Sequence, residues 1–142
     1  MRISFRIFMA LHVFFYRLSG GRIGGSMRGF NLLLLTTKGS KTGKLRTTPL
    51  GNFDHPDGFL IVASNAGSDS NPSWYYNLKK NPHVIVQVMD KVMNATAEEL
   101  SGNARQAAWQ IVISKAVSYA DYEKHTDRII PLILLHPSLS ED

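Results

Sequence analysis

Apolar positions recur at helical spacing near the start of the chain. Ile3, Ile7, Leu11, Phe14, Phe15 and Leu18 gather on one side of a helical wheel, and Arg2, Arg6 and Arg17 share the other. The pattern predicts a basic amphipathic helix. Two readings fit it: a helix docked on the rest of the protein, or one lying in a membrane interface with Phe and Leu buried and Arg among headgroups. "SGGRIGG" follows as a glycine-rich linker. It divides an N-terminal helix (residues 1–19) from a single domain over residues 20–142.

Beyond the linker the periodicity changes to that of strands. "FNLLLLTT" (Phe30–Thr37) is a continuous apolar run, as a buried strand requires. Lys44–Phe53 alternates, and Pro49 within it marks an edge or a bulge because proline cannot donate to a ladder. "HPDG" (His55–Gly58) predicts a turn into another buried strand, Phe59–Ser64. Asn71–Pro82 reads as a short helix, with Asn71 as its cap, Pro72 in its first turn, and Lys79 and Lys80 at the negative end of its dipole. "HVIVQV" and "VMNATAEEL", joined by "MDK", predict a hairpin. Asn103–Lys115 is predicted helical with Ala107, Ala108 and Ile111 facing inward. "YADYEKHTD" gives a shorter helix and Ile129–Leu135 a last strand. About six strands and three or four helices make an α+β protein, a small antiparallel barrel with helices at its ends.

Charge sharpens this picture. Residues 1–53 hold nine cations and no acid, a net +9; the remaining seven cations face eleven acids, a net −4. Such a lopsided half points to an anionic partner: nucleic acid, lipid headgroups, or a phosphorylated or carboxylated small molecule. Nucleic acid is disfavoured because interleaved exposed aromatics and a known binding module are missing. There is no cysteine, which excludes thiol catalysis, zinc–thiolate sites and disulfides. The five histidines are scattered without metal-site spacing, so no metal is expected. The apolar N-terminal stretch is too short for a bilayer, which needs about 20 residues. The chain is read as cytoplasmic, either free or peripheral on the inner face of the cell membrane.

Three clusters carry candidate chemistry. In "KGSKTGKLRTTPL", Lys38, Lys41, Lys44 and Arg46 fall within nine residues beside two glycines. The stretch fails as a P-loop, since only three residues separate Gly39 from Gly43 and Leu45 follows the lysine. No dinucleotide-binding glycine pattern opens a helix either. Yet a strand arginine beside two threonines and glycine-exposed amides makes a phosphate or carboxylate fork. The second cluster, "SNAGSDSNPSWYYN", runs from a strand end through a small-residue loop into a helix start, where free amides favour anions or carbonyl oxygens. Here Ser64 faces a ligand or is a plain capping hydroxyl, and Trp74 and Tyr75 wall a flat ring or fill the core. The third is Tyr119 with Tyr122, either incidental surface tyrosines or hydrogen-bond donors at a pocket rim.

Those motifs, with "VASNAGSDSNPSWYYNLKKNP", "YADYEKHTDR" and "IPLILLHP", resemble the deazaflavin-dependent nitroreductase family over about Gly20 to Pro137. The resemblance implies a split β-barrel related to FMN-binding oxidoreductases and hydride transfer with coenzyme F420. It implies that the basic loop receives the coenzyme's phosphate and oligoglutamate tail. Lys41 and Arg46 match the cationic positions, with Ser40, Thr42, Thr47, Thr48, Pro49, Leu50 and Gly51 alongside. Val62, Ala63, Ser64 and Asn65, and Ser73, Trp74, Tyr75, Tyr76 and Asn77, match segments that hold the deazaflavin and its ribityl chain. Tyr119 and Tyr122 match tyrosines on the acceptor side, which with Ser64 makes these three the catalytic candidates.

Family acceptors include quinones, nitroaromatics and other electron-poor compounds. The expected activity is therefore hydride transfer from the reduced deazaflavin to such a small molecule, by a monomer or homodimer. Tyr119 would assist through a hydrogen bond, since an ordinary phenol is a poor acid at neutral pH. The alternatives are an FMN-binding split-barrel oxidoreductase and a non-catalytic deazaflavin carrier; F420 is favoured over FMN.

Overall fold

The four consecutive leucines Leu32–Leu35 are buried on both sides of their strand, so elements must cover both faces of the sheet there. The computed structural model, which describes residues 5–27 and 30–138, shows what does so. Leu33 and Leu35 of β2 (Phe30–Lys38) enter one core with Trp74 and Leu78 of helix α2 (Ser73–Lys80). Leu32 and Leu34 point the other way, against Val13 and Tyr16 of helix α1 (Phe5–Ser19).

The remaining strands are β1 (Ser26–Met27), β3 (Leu45–Gly51), β4 (Phe53–His55), β5 (Gly58–Val62), β6 (His83–Val88), β7 (Lys91–Glu99) and β8 (Leu132–Pro137). They form one curled antiparallel sheet in the order β1-β2-β6-β7-β8-β5-β4, with β3 hydrogen-bonded to β2 alone. Strand β3 is therefore an edge, as Pro49 requires. Strands β5 and β8 also present two buried faces. Ile61, Ile133 and Leu135 join the α2 core, while Leu60, Val62, Leu132 and Leu134 meet Ala108, Trp109 and Val112 of helix α3 (Gly102–Lys115). Helix α4 (Ser118–Lys124) packs beside a 3-10 turn at Asn65–Gly67.

The expected α+β split barrel is thus present, with some changes of detail. Strands β1 and β4, two and three residues long, are too short to show a period, so the described residues hold eight strands where about six were expected. The Lys44–Phe53 run breaks at Asn52, whose backbone N–H and side-chain amide both bond to the carbonyl of Asn31. In α3, Ala107 is exposed, and Ala108, Trp109 and Val112 face inward. Pro72, not Asn71, occupies the cap position of α2.

Helix α1 docks by an unexpected side. Its buried residues, Val13 and Tyr16, lie on the face that also carries Arg6 and Arg17. The apolar side points outward, with Ile7 55%, Phe14 57% and Leu18 71% exposed. Of the predicted faces, Arg2 and Ile3 lie outside the described residues, as does the cation Arg28. Docking depends on Tyr16, which has no exposed surface. Its hydroxyl accepts the N–H of Met89 at 2.8 Å and donates toward the carbonyls of Leu32 (3.0 Å) and Gln87 (3.3 Å). Burial raises its phenol pKa, opposed in part by the Met89 bond.

The glycine-rich segment is a packed elbow and not a slack linker. A Cβ on Gly25 would collide with the carbonyl of Gly21, and one on Gly21 (φ +85°) would come within 2.7 Å of the Met89 Cα. His12 Nε2 closes the elbow on the Gly24 carbonyl at 2.8 Å. None of the described helices is long and apolar enough to cross a membrane.

Candidate active site

A groove of about 1450 Å³ lies between α1, the β2–β3 loop and the start of α2. Because β3 is an edge strand, its consecutive residues Arg46, Thr47 and Thr48 all reach this groove. Four cations line it (Arg6, Arg17, Lys41 and Arg46), and no carboxylate does. Among the described residues the ion pairs are Lys79–Glu99 and His136–Glu98, so none of the four is neutralised by another described residue. Such a concentration of like charge favours an anionic occupant.

The loop that presents Lys41 is held by short bonds. The N–H of Gly39 donates to the Lys44 carbonyl at 2.7 Å, and that of Gly43, in the left-handed region at φ +72°, to the Gly39 carbonyl at 2.9 Å. Helix α2 clamps the loop from one side. Buried Asn77 accepts the N–H of Ser40 at 2.9 Å and donates to Thr37 Oγ1 at 3.1 Å, while Lys80 Nζ donates to the Ser40 carbonyl at 2.8 Å. On the other face, Thr36 and Thr47 hydroxyls meet at 2.8 Å, and Arg17 Nη2 donates to Thr47 Oγ1 at 3.2 Å. A loop fixed in this way needs little further ordering when it receives a ligand.

The strand-end loop after β5 has its own anchor. Arg128 donates to the carbonyls of Ala63 (3.1 Å), Ser64 (2.7 Å) and Ser68 (2.9 Å), and to Asn71 Oδ1 (2.7 Å). Asn71 is therefore engaged by a guanidinium and does not cap its helix. Asn65 sits at φ +47°, and its amide holds Ser68 Oγ and the Ser70 carbonyl. Against this loop, Tyr122 lies at van der Waals distance from a Cβ built on Gly67. Tyr119 meets Tyr122 edge-on at 5.5 Å and Phe53 at 5.7 Å. Burial, and then the neighbouring Tyr122, raise the Tyr119 phenol above its ordinary pKa.

Ser40, Lys41, Thr42, Arg46, Thr47 and Thr48 line the groove together with Ser73, Trp74, Tyr76 and Asn77. Others lie elsewhere. Tyr75, on the opposite side of α2, donates to Glu99 at 2.6 Å; burial first, and then that carboxylate, push its pKa up to about 12. Leu50 packs on the α2 core and Pro49 pairs with Leu34 across the sheet; neither they nor Gly51 line the groove. Val62, Ala63, Ser64 and Asn65 run from β5 into the 3-10 turn, beside which α4 carries Tyr119 and Tyr122; none of these lines the groove. The sequence reading missed Arg128, Asn71 and the α1 wall. For Arg6 and Arg17 a signal existed: both lie on the helix side that also carries Val13 and Tyr16. Among the described residues, no group of three His, Cys, Asp or Glu side chains is placed to hold a metal.

Comparison with known proteins bears on this geometry. The family model described as F420H(2)-dependent quinone reductase matches residues 8–137. An F420H(2)-dependent quinone reductase of Mycobacterium tuberculosis (strain ATCC 25618 / H37Rv) is 40% identical over 131 residues, covering 89% of this chain and 88% of the relative. A solved structure titled an F420-H2 dependent reductase is 40% identical, with TM-score 0.69, over 77% of this chain and 95% of the other. Another, titled a domain-swapped dimer, is 36% identical, with TM-score 0.71, over 89% and 96%.

Proposed function

The chain belongs to the F420H(2)-dependent quinone reductase family of oxidoreductases, and from that premise we propose that it passes a hydride from reduced coenzyme F420 to a quinone or a similarly electron-poor acceptor. The observation that carries this reading is the groove itself: four cations with no ion partner among the described residues, no acid in the lining, and a pre-ordered loop leading to the start of α2. FMN has a single phosphate; a groove this long and this basic suits a longer anionic tail better.

When bound, the deazaflavin would supply the hydride chemistry; the protein supplies binding and orientation. Lys41 and Arg46 hold the tail anions, with Ser40, Thr42, Thr47 and Thr48 donating around them. Asn77 and Lys80 keep the loop in place. Trp74 and Tyr76 flank the passage from loop to helix. Arg128 fixes the carbonyls of Ala63 and Ser64, and so sets where the amides of the Ser64–Gly67 turn point. Tyr119 and Tyr122 stand beside that turn, and Tyr119 orients the acceptor through its hydroxyl. Its raised pKa keeps it protonated at neutral pH and argues for hydrogen bonding over proton donation.

The outward stripe of α1 supports a second element: peripheral contact with a bilayer, on the cytoplasmic side, where a lipid-dissolved quinone would be met. Following oxidation of the reduced coenzyme with a menaquinone-like and a nitroaromatic acceptor, with FMN and nicotinamides as controls, tests the activity. Turnover dependent on F420 and a quinone is expected. Tight coenzyme binding without turnover would leave a carrier, and preference for FMN would overturn the cofactor.

A further inference from the structure

We propose that helix α1 is the second jaw of the anion clamp, with Arg17 and Arg6 gripping the coenzyme tail from the side opposite Lys41 and Arg46. The inference rests on the reading that this groove holds a deazaflavin coenzyme, and it adds binding residues from helix α1, which lies outside the motifs that carry the resemblance.

Position makes the first argument. In the β2–β3 register Arg46 stands opposite Thr37 and Thr47 opposite Thr36, so neighbouring side chains leave opposite faces of the sheet edge. Thr37 is tied to α2 through Asn77, and Thr47 to α1 through Arg17. The groove wraps the edge, with cations on both sides of it.

Capacity makes the second. Arg17 spends one N–H on Thr47 Oγ1 at 3.2 Å, and that hydroxyl is already engaged with Thr36. A guanidinium has five N–H groups, so most of its donor fork remains for an anion. Arg6 precedes Arg17 by three helical turns on the same side of α1, about 16 Å along the axis. That span exceeds what one phosphate fills. It suits an extended polyanion, a phosphate followed by carboxylates, which is the chemistry of the coenzyme's tail.

Energetics make the third. Only Val13 and Tyr16 of α1 are buried, so the helix is held by a small footprint. An anion bridging Arg17 to Arg46 adds to that footprint only when the coenzyme is present. Coenzyme binding and α1 docking are then linked, each favouring the other.

The test uses the full chain, with Arg17→Gln, Arg17→Lys and Arg6→Gln/Arg17→Gln, and titrates two ligands by fluorescence at low and raised salt. One ligand is intact coenzyme F420; the other is its tail-less deazaflavin fragment, lacking phosphate and glutamates. Arg17→Gln is expected to weaken the intact coenzyme about tenfold, and the double variant more, while the fragment changes less than about twofold. Arg17→Lys is expected to recover most of the loss and to preserve the salt dependence that Arg17→Gln reduces. Coenzyme should also protect the residue 20–25 elbow from protease in the wild type more than in Arg17→Gln. Unchanged affinity for intact coenzyme in Arg17→Gln, or an equal loss for both ligands, overturns the proposal. Failure of the wild type to bind either deazaflavin would instead refute the functional reading, and it is seen before any variant is compared.

Discussion

The side-chain oxygen of Asn77 accepts the backbone N–H of Ser40 at 2.9 Å, joining α2 to the loop that carries Lys41. The same amide donates to Thr37 at 3.1 Å, and the side chain is buried. Asn77→Leu leaves the Ser40 N–H and the Thr37 hydroxyl without these partners. We expect about 1–3 kcal/mol of lost stability in urea unfolding and a severalfold weaker coenzyme. Unchanged stability together with unchanged affinity would show that the loop holds its shape without α2.

Arg128 acts at the other end of the site. Its four hydrogen bonds to the 63–71 segment are all to oxygen acceptors, which methionine cannot serve. Arg128→Met is predicted to lower kcat by about tenfold or more, the scale of one misplaced donor set. Affinity for the tail-less fragment should fall with it, while the contribution of the tail to binding persists. A kcat loss with no change in fragment affinity would argue against a positioning role.

Tyr119→Phe removes one hydroxyl and keeps the ring against Phe53 and Tyr122. Turnover should fall by about tenfold, equivalent to about 1.4 kcal/mol, with coenzyme affinity nearly intact. The pH profile separates orientation from acid catalysis. A raised phenol pKa means the hydroxyl stays protonated until the pH exceeds its ordinary value of about 10, so its ionisation should add no limb at neutral pH. The wild-type-to-variant ratio should be flat from about pH 6 to about pH 9; a bend there would contradict the assignment.

The exposed stripe of α1 is tested with anionic and neutral liposomes. Leu11→Ser/Phe15→Ser, both exposed and neither lining the groove, is predicted to reduce co-sedimentation severalfold while leaving turnover with a water-soluble quinone unchanged, because the buried Val13–Tyr16 dock is untouched. Equal partitioning of the two proteins would defeat membrane contact. Light scattering would show whether a second copy covers the stripe instead.

Much of the frame was legible from the sequence because its signals are local. The leucine run of β2, the β6–β7 alternation and the proline-to-Asn-Pro bounds of α2 each declare themselves within ten residues or so. The basic loop was legible for the same reason. The face of α1 was not: wheel geometry ranks apolar side chains, whereas docking here depends on Val13 and a tyrosine whose hydroxyl reaches three backbone groups. Arg128 was also hidden, because bonds to carbonyls about 60 residues away leave no pattern in side-chain type. Tyr75 and Tyr76 are adjacent in sequence, and only the helix rotation sends one to Glu99 and the other to the groove.

The central claim is that the groove at the β3 edge binds coenzyme F420 through its anionic tail and supports quinone reduction. The most direct measurement is F420H2 oxidation by a menaquinone-like acceptor, with coenzyme affinity, in the wild type and Arg46→Ala. We predict quinone-dependent turnover in the wild type. In Arg46→Ala we predict coenzyme binding weaker by about 2 kcal/mol or more, the scale of a lost charge-assisted pair. Absence of turnover with the reduced coenzyme, or coenzyme affinity indifferent to Arg46, would contradict it.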